Sequence, residues 1–276
     1  MKHRYKKICA YLGLSLTMAS ATHWVAAHDH AHQGGVQTEA GSKGLCSASR
    51  PCTHQGGIQT EASSKVKPDF DIFHTKITTE GNVAIFHIAV SGKAGKTRPA
   101  KSGKLAGSTV FSYVWPTTLD PSVVGFEPKS GILAFAVTSH PDFDDTPLFD
   151  ENGDGDPNND GNVWHSHWVV LQPDQACGKD ALKVVDIPEG SKPRLPKTWP
   201  GLPILIDSPG WSPIFKGKTL EVRVPFDDIE SIKAAGFDGV TAALRINASV
   251  HAPLLCVANV YKIASGNLSL PGKFNQ

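Results

Sequence analysis

The chain reads as all-β: a β-sandwich-like domain with long loops and one short helix, preceded by a disordered His-rich tail. Short apolar runs rich in β-branched and aromatic residues recur between Gly, Pro, Asn and Asp clusters, the pattern of strands and turns. Only one segment carries helix start and stop signals. The stretch from residue 69 to the C-terminus is a size that one sandwich or barrel fills.

Taken in order, the apolar runs predict strands near Ile72–Ile77, Val83–Val90, Thr109–Trp115, Ile132–Thr138, Val163–Leu171 and Leu182–Ile187. Three more follow at Thr219–Val224, Thr241–Val250 and Leu255–Ile263. Between them the proline-rich stretch Pro193–Pro213 reads as an ordered surface crossing, since proline removes a backbone donor and breaks helices. The one helix is expected over Asp228–Ala235. Asp227 caps it, Glu230 stands three residues later as in a capping box, and Gly236 suits a left-handed stop.

The N-terminal end predicts export. Lys2, Arg4, Lys6 and Lys7 precede an apolar run from Ile8 to about Ala21, the charged and apolar regions of a secretory signal peptide. Small residues allow cleavage before Thr22 or before His28, and the second gives a signal over 1–27. The run is shorter than the roughly 20 apolar residues that cross a bilayer. No later stretch reaches that length either, so no transmembrane span is expected in the mature chain, which is placed in the periplasm or secreted to the medium or cell surface. Once Cys9 leaves with the signal, Cys46, Cys52, Cys177 and Cys256 remain. In an oxidising compartment an even set reads as disulfides. Spacing favours Cys46 with Cys52 and Cys177 with Cys256.

From His28 to Pro68 large apolar residues are few, so the segment cannot offset its ordering entropy and reads as a tail. It holds a near-exact repeat, His32–Ala40 and His54–Ala62, HQGG(V/I)QTEA. Two copies are too few for a solenoid. They read as a duplicated recognition or metal-binding element or as slippage in an unconstrained tail. The domain proper is expected over 69–276.

Composition excludes several functions. The 27 basic and 26 acidic residues balance, so there is no basic field of the kind that binds nucleic acid. Both methionines, Met1 and Met18, lie in the signal. Without thioethers or free thiols the mature chain cannot build a blue-copper centre. Gly-x-Ser-x-Gly, phosphate loops, dinucleotide fingerprints and His-Glu-x-x-His are absent. Asp207-Ser208 does not by itself make a hydrolytic triad.

Two local patterns point to metals. Asp142, Asp144, Asp145, Asp150, Asn152, Asp154, Asp156 and Asp160 crowd one stretch with no Lys or Arg between His140 and Lys179. Such charges repel unless solvent or a cation screens them. Asp150-x-Asn152-x-Asp154-Gly155 matches the first half of an EF-hand loop, whose alternating oxygens suit calcium. Position twelve is Gly161 rather than Glu and no flanking helices are expected, so a calcium loop on a β scaffold is the expectation. Directly after it, His165 and His167 sit at i and i+2 of a strand and share one face. An antiparallel neighbour ending near His140 brings a third imidazole beside them, and the three histidines, alone or with Asp142 or Asp144, make a donor set for zinc or copper. Trp164 and Trp168 then face the opposite way, into the core. Cleavage before His28 would start the mature chain His28-Asp29-His30-Ala31-His32, whose amine, amides and imidazole can wrap Cu(II) in a plane. His74, His87 and His251 read as hydrogen-bonded core residues, and the basic loop from Lys93 to Lys104 as solvated.

These patterns lead to an exported metal-binding protein that sequesters, buffers or delivers copper or zinc, with calcium on the acidic loop and a metal-receiving protein as partner. A metal-dependent hydrolase built on the same histidines is the alternative. A calcium-stabilised interaction module is the third.

Overall fold

The structure, a computed structural model, describes residues 55–141, 162–249 and 252–276. The signal segment, His28, His30, His32, the Cys46–Cys52 pairing, the acidic run 142–160 and His251 lie outside the described residues. Everything described belongs to one compact unit.

The chain enters through a short strand, β1 (Ile58–Gln59), followed by the hairpin β2 (Ile72–Glu80) and β3 (Val83–Val90). Next come β4 (Thr109–Pro116), a 3-10 turn at Pro121–Val124 and β5 (Ile132–Ser139). β6 (His165–Pro173), a second 3-10 turn at Gln175–Cys177, β7 (Leu182–Val184) and β8 (Ile206–Asp207) follow. β9 (Ile214–Lys216), β10 (Thr219–Pro225), α1 (Ile229–Ile232) and β11 (Gly236–Phe237) lead to β12 (Val240–Ile246), β13 (Leu255–Ile263) and β14 (Gly272–Lys273).

The all-β expectation is met, and most strands lie where the apolar runs put them. Several boundaries differ: β6 starts at His165 rather than Val163, β7 ends at Val184 rather than Ile187, and the Pro193–Pro213 stretch is not only a surface crossing, since it carries β8 with Ile206 and Asp207 buried against β6. The tail does not extend unpaired to Pro68: Ile58 and Gln59, inside the second repeat copy, pair with Thr75 and His74 of β2. α1 is a single turn capped by Asp228, whose carboxylate accepts from the Glu230 and Ser231 amides, rather than a two-turn helix capped by Asp227. Gly236 is not its left-handed stop, because it belongs to β11 and pairs with Lys273 of β14.

Two main sheets form, as in a sandwich, but one closes on itself. The open sheet has the order β1-β2-β3-β10-β9. The other runs β5-β4-β12-β13-β7-β6-β8, and an additional β5–β6 pairing joins its ends into a barrel. Gly131 permits that closure: at φ 149° it leads into β5, where a β-carbon would lie 2.5 Å from the Leu171 carbonyl oxygen of β6.

Alternation along the strands sorts side chains by size. Phe111, Tyr113 and Trp115 of β4, Phe135 of β5 and Trp168 of β6 point out of the barrel and pack with Phe86, Ile88, Leu220 and Val222 of the open sheet. Trp164, just ahead of β6, joins them. Their barrel-facing neighbours include Val114, Ala134, Ala136, Val169 and Ala242. Buried polar atoms tie the layers together: the Trp115 indole donates to Thr75 Oγ1 at 3.0 Å, and Tyr113 donates to the Asp69 carbonyl at 2.7 Å.

The weakest wall is β7–β13, joined by the single pair Cys256↔Lys183. A disulfide between Cys177 and Cys256 crosses that seam, closing a loop with a sequence separation of 79. Crosslinks of such loops stabilise mainly by restricting the unfolded chain. The double variant Cys177→Ser/Cys256→Ser is therefore expected to lose about 2–5 kcal/mol in urea denaturation; a loss under about 1 kcal/mol would show that the seam holds without its crosslink.

Candidate metal centre

β5 and β6 run antiparallel, with Thr138 opposite His165 and Ala136 opposite His167. His165 and His167 share the barrel-facing side of β6. His140 lies two residues beyond Thr138, and Pro141 after it favours extended backbone, so the direction of β5 carries past Ser139. The imidazole rings meet edge to face, with centroids 4.8 Å apart for His140–His165 and 4.7 Å for His165–His167. One nitrogen from each of the three lies within 4.8 Å of the others. Bonds of about 2.0–2.1 Å to one tetrahedral ion would set nitrogens about 3.3 Å apart, a contraction within the reach of side-chain rotation.

Hydrogen bonds orient the rings. His140 Nδ1 lies 2.7 Å from the Pro141 carbonyl, and His165 Nδ1 lies 2.9 Å from the Val163 carbonyl. A carbonyl only accepts, so both rings carry their proton on Nδ1 and present the Nε2 lone pair. His167 Nδ1 lies 2.9 Å from Ser208 Oγ, which can accept in the same way. This is the outer support that fixes tautomer and orientation in imidazole metal sites. Thr138 Oγ1 is 3.2 Å from His165 Nε2, which puts a hydroxyl beside the ligand atoms.

Electrostatics favour neutral rings. Burial pushes His165 down to about 4, against the opposing pull of its Val163 hydrogen bond. His167 is held well below the usual range by burial and then by the neighbouring His165 and His140. A neutral imidazole is the ligand form. Asp207, next to Ser208, is raised to about 6 by burial, although its carboxylate accepts from Thr198 at 2.6 Å. Its partner is Thr198 rather than a ring of the trio, so no Ser-His-Asp relay forms.

His140 and His167 border a chamber inside the barrel of about 140 Å³, lined also by Thr138 and otherwise almost wholly by aliphatic side chains. Of the expected ligands, the structure brings together His140, His165 and His167. Thr138 was not singled out from the sequence, and Ser208 entered there only beside Asp207 as a poor triad candidate. The face rule of a strand could have found Thr138, two residues before His140; nothing local marks Ser208, 41 residues from His167. His74 and His87 are buried as expected, with rings 5.6 Å apart.

Comparison with known protein families, characterised proteins and solved structures returned no match for this chain.

The depressed histidines set an acid limit on the metal-free protein. Unfolded histidine titrates near 6.5, so between that pH and about 4 the unfolded chain binds protons that folded His165 and His167 do not. Stability therefore falls as pH falls through that window. Asp207 acts oppositely: its raised pKa contributes stability below the ordinary aspartate value of 3.8, and this is lost as pH rises through about 6. Two histidines outweigh one carboxylate, so the urea midpoint should be lower at pH 5 than at pH 7, and Asp207→Asn should steepen the fall. An unchanged midpoint between these values would contradict the burial argument.

Proposed function

We propose that this is an exported metal-binding protein that holds copper or zinc at His140, His165 and His167 and sequesters, buffers or delivers it. The observation that carries the reading is three clustered imidazoles, two buried and His140 half-buried, with one nitrogen of each within 4.8 Å of the others and each Nδ1 against an oxygen. Nitrogen donors suit Zn(II) and Cu(II) better than hard oxygen-preferring cations. Export is supported by the signal-like N-terminal stretch and by the Cys177–Cys256 disulfide, a bond that persists in oxidising compartments. In the same proposal the tail histidines His28, His30 and His32 collect metal, the acidic run 142–160 binds calcium, and a receiving protein takes the ion onward. Among the described residues no helix is long and apolar enough to cross a membrane.

A metal-dependent hydrolase is the second reading, favoured by one observation. Three protein ligands leave a fourth tetrahedral position for water, as in catalytic zinc sites. The Thr138 hydroxyl and the chamber lie beside that position.

Elemental analysis of the natively purified protein should find one zinc or copper per chain. His165→Gln/His167→Gln should remove it while any calcium remains. Ser208→Ala, which removes one of the hydrogen bonds that support His167, should weaken affinity by up to about ten- to a hundredfold in a competition titration with a chromophoric chelator. A double histidine variant that holds as much zinc or copper as the wild type would overturn the assignment. Hydrolysis of generic esters that disappears with the metal would select the second reading.

A further inference from the structure

We infer that the barrel chamber binds a small hydrocarbon carboxylate, its head completing the coordination of the ion on the histidine trio and its tail lying among the barrel side chains. The head-group part rests on the proposed metal site; the tail part rests on the barrel alone.

Four properties of the chamber lead to this ligand. The first is size. Ala136, Ala242 and Ser112 stand where larger side chains would fill a barrel interior, and about 140 Å³ remains. An apolar cavity of about 150 Å³ accepts a molecule as large as benzene, which corresponds to a tail of five or six carbons.

The second is polarity. Among the described residues, the polar ones lining the chamber are Ser112, Thr138, His140 and His167. The Ser112 hydroxyl donates to the Ala242 carbonyl at 2.9 Å. The other three belong to the trio and its hydroxyl neighbour, so the chamber has one polar pole and an aliphatic remainder.

The third is charge. Three neutral imidazoles bring no negative charge to a divalent ion, and among the described residues no Asp or Glu lines the chamber. An uncompensated charge in a low-dielectric interior favours an anionic fourth ligand. A carboxylate oxygen bonds such ions at about 2.0–2.2 Å. Among the described residues no Lys or Arg lines the chamber either, so a second charge on the tail would be buried without a partner, which selects monoanions.

The fourth is access. Leu105 and Val260 are 37% and 51% exposed, and both line the chamber. They are two of only four large hydrophobics left exposed among the described residues. An apolar rim at the opening of an apolar chamber is an entry for a hydrocarbon chain.

The test uses the full exported chain loaded with Co(II), whose visible absorption reports a change of ligand. Acetate, butanoate and hexanoate are titrated in turn. Burial of each methylene should tighten binding about fourfold, so hexanoate should bind at least tenfold more tightly than acetate. Ala242→Leu, which fills the chamber, should abolish that dependence on chain length and leave acetate unchanged. Ala242→Val serves the same purpose if the leucine variant fails to fold, and the wild-type series decides the matter alone if both do. Equal affinity for acetate and hexanoate in the loaded wild type would overturn the inference. Benzene binding to the metal-free protein, read as a rise in melting temperature, separates the two kinds of failure. A chain that holds no cobalt but binds benzene loses the carboxylate anchor together with the metal reading. A chain that loads cobalt but shows no dependence on chain length loses this inference only.

Discussion

The antiparallel pairing of β5 with β6 is the contact on which the rest depends. It joins the two ends of a seven-stranded sheet, so the inner face becomes an interior, and it sets Thr138 opposite His165. A slip of one residue would turn His165 and His167 outward and bring Trp168 into the barrel, because side chains alternate strictly along a strand. The same register therefore determines the core and the imidazole cluster. The barrel needs little else on this side, whereas the β7–β13 side depends on one backbone pair and a covalent bond.

Burial gives the cluster its chemical character. An imidazole in water near neutral pH exchanges its proton readily; within the barrel the charged form is disfavoured, and His165 stays neutral down to about pH 4. Carbonyl acceptors at Pro141 and Val163 then decide which nitrogen keeps the remaining proton. Neutrality and orientation arise from separate causes, one from the aliphatic surroundings and one from short-range backbone geometry. Together they leave the cluster with one nitrogen of each ring within 4.8 Å of the others.

The division of large and small side chains between the two faces has a comparable double effect. Aromatic residues on the outside of β4, β5 and β6 create the broad contact with the open sheet. Their small neighbours inside leave the chamber that the histidines border. A barrel standing alone would have no partner for those aromatics. The second sheet is thus what allows small residues to occupy the interior without loss of a core.

Strand positions, the Cys177–Cys256 pairing and the shared face of His165 and His167 were legible from the chain, because they follow from alternation, parity and spacing within short segments. The approach of His140 followed one step further, from the expectation that a neighbouring strand runs back antiparallel. Short-range signals misjudged the helix, since Asp227 and Asp228 are equivalent as caps in sequence and Gly236 proved to be drawn into pairing with β14. They also missed β1, two residues whose pairing with β2 has no periodic pattern of its own. The sequence by itself determined which residues are strands and which faces are apolar, because backbone geometry imposes a period of two wherever a strand forms. Only the tertiary structure decided that one sheet closes, that Ser208 supports His167 and that the histidines border a chamber, because each depends on contacts between segments whose separation along the chain carries no local mark.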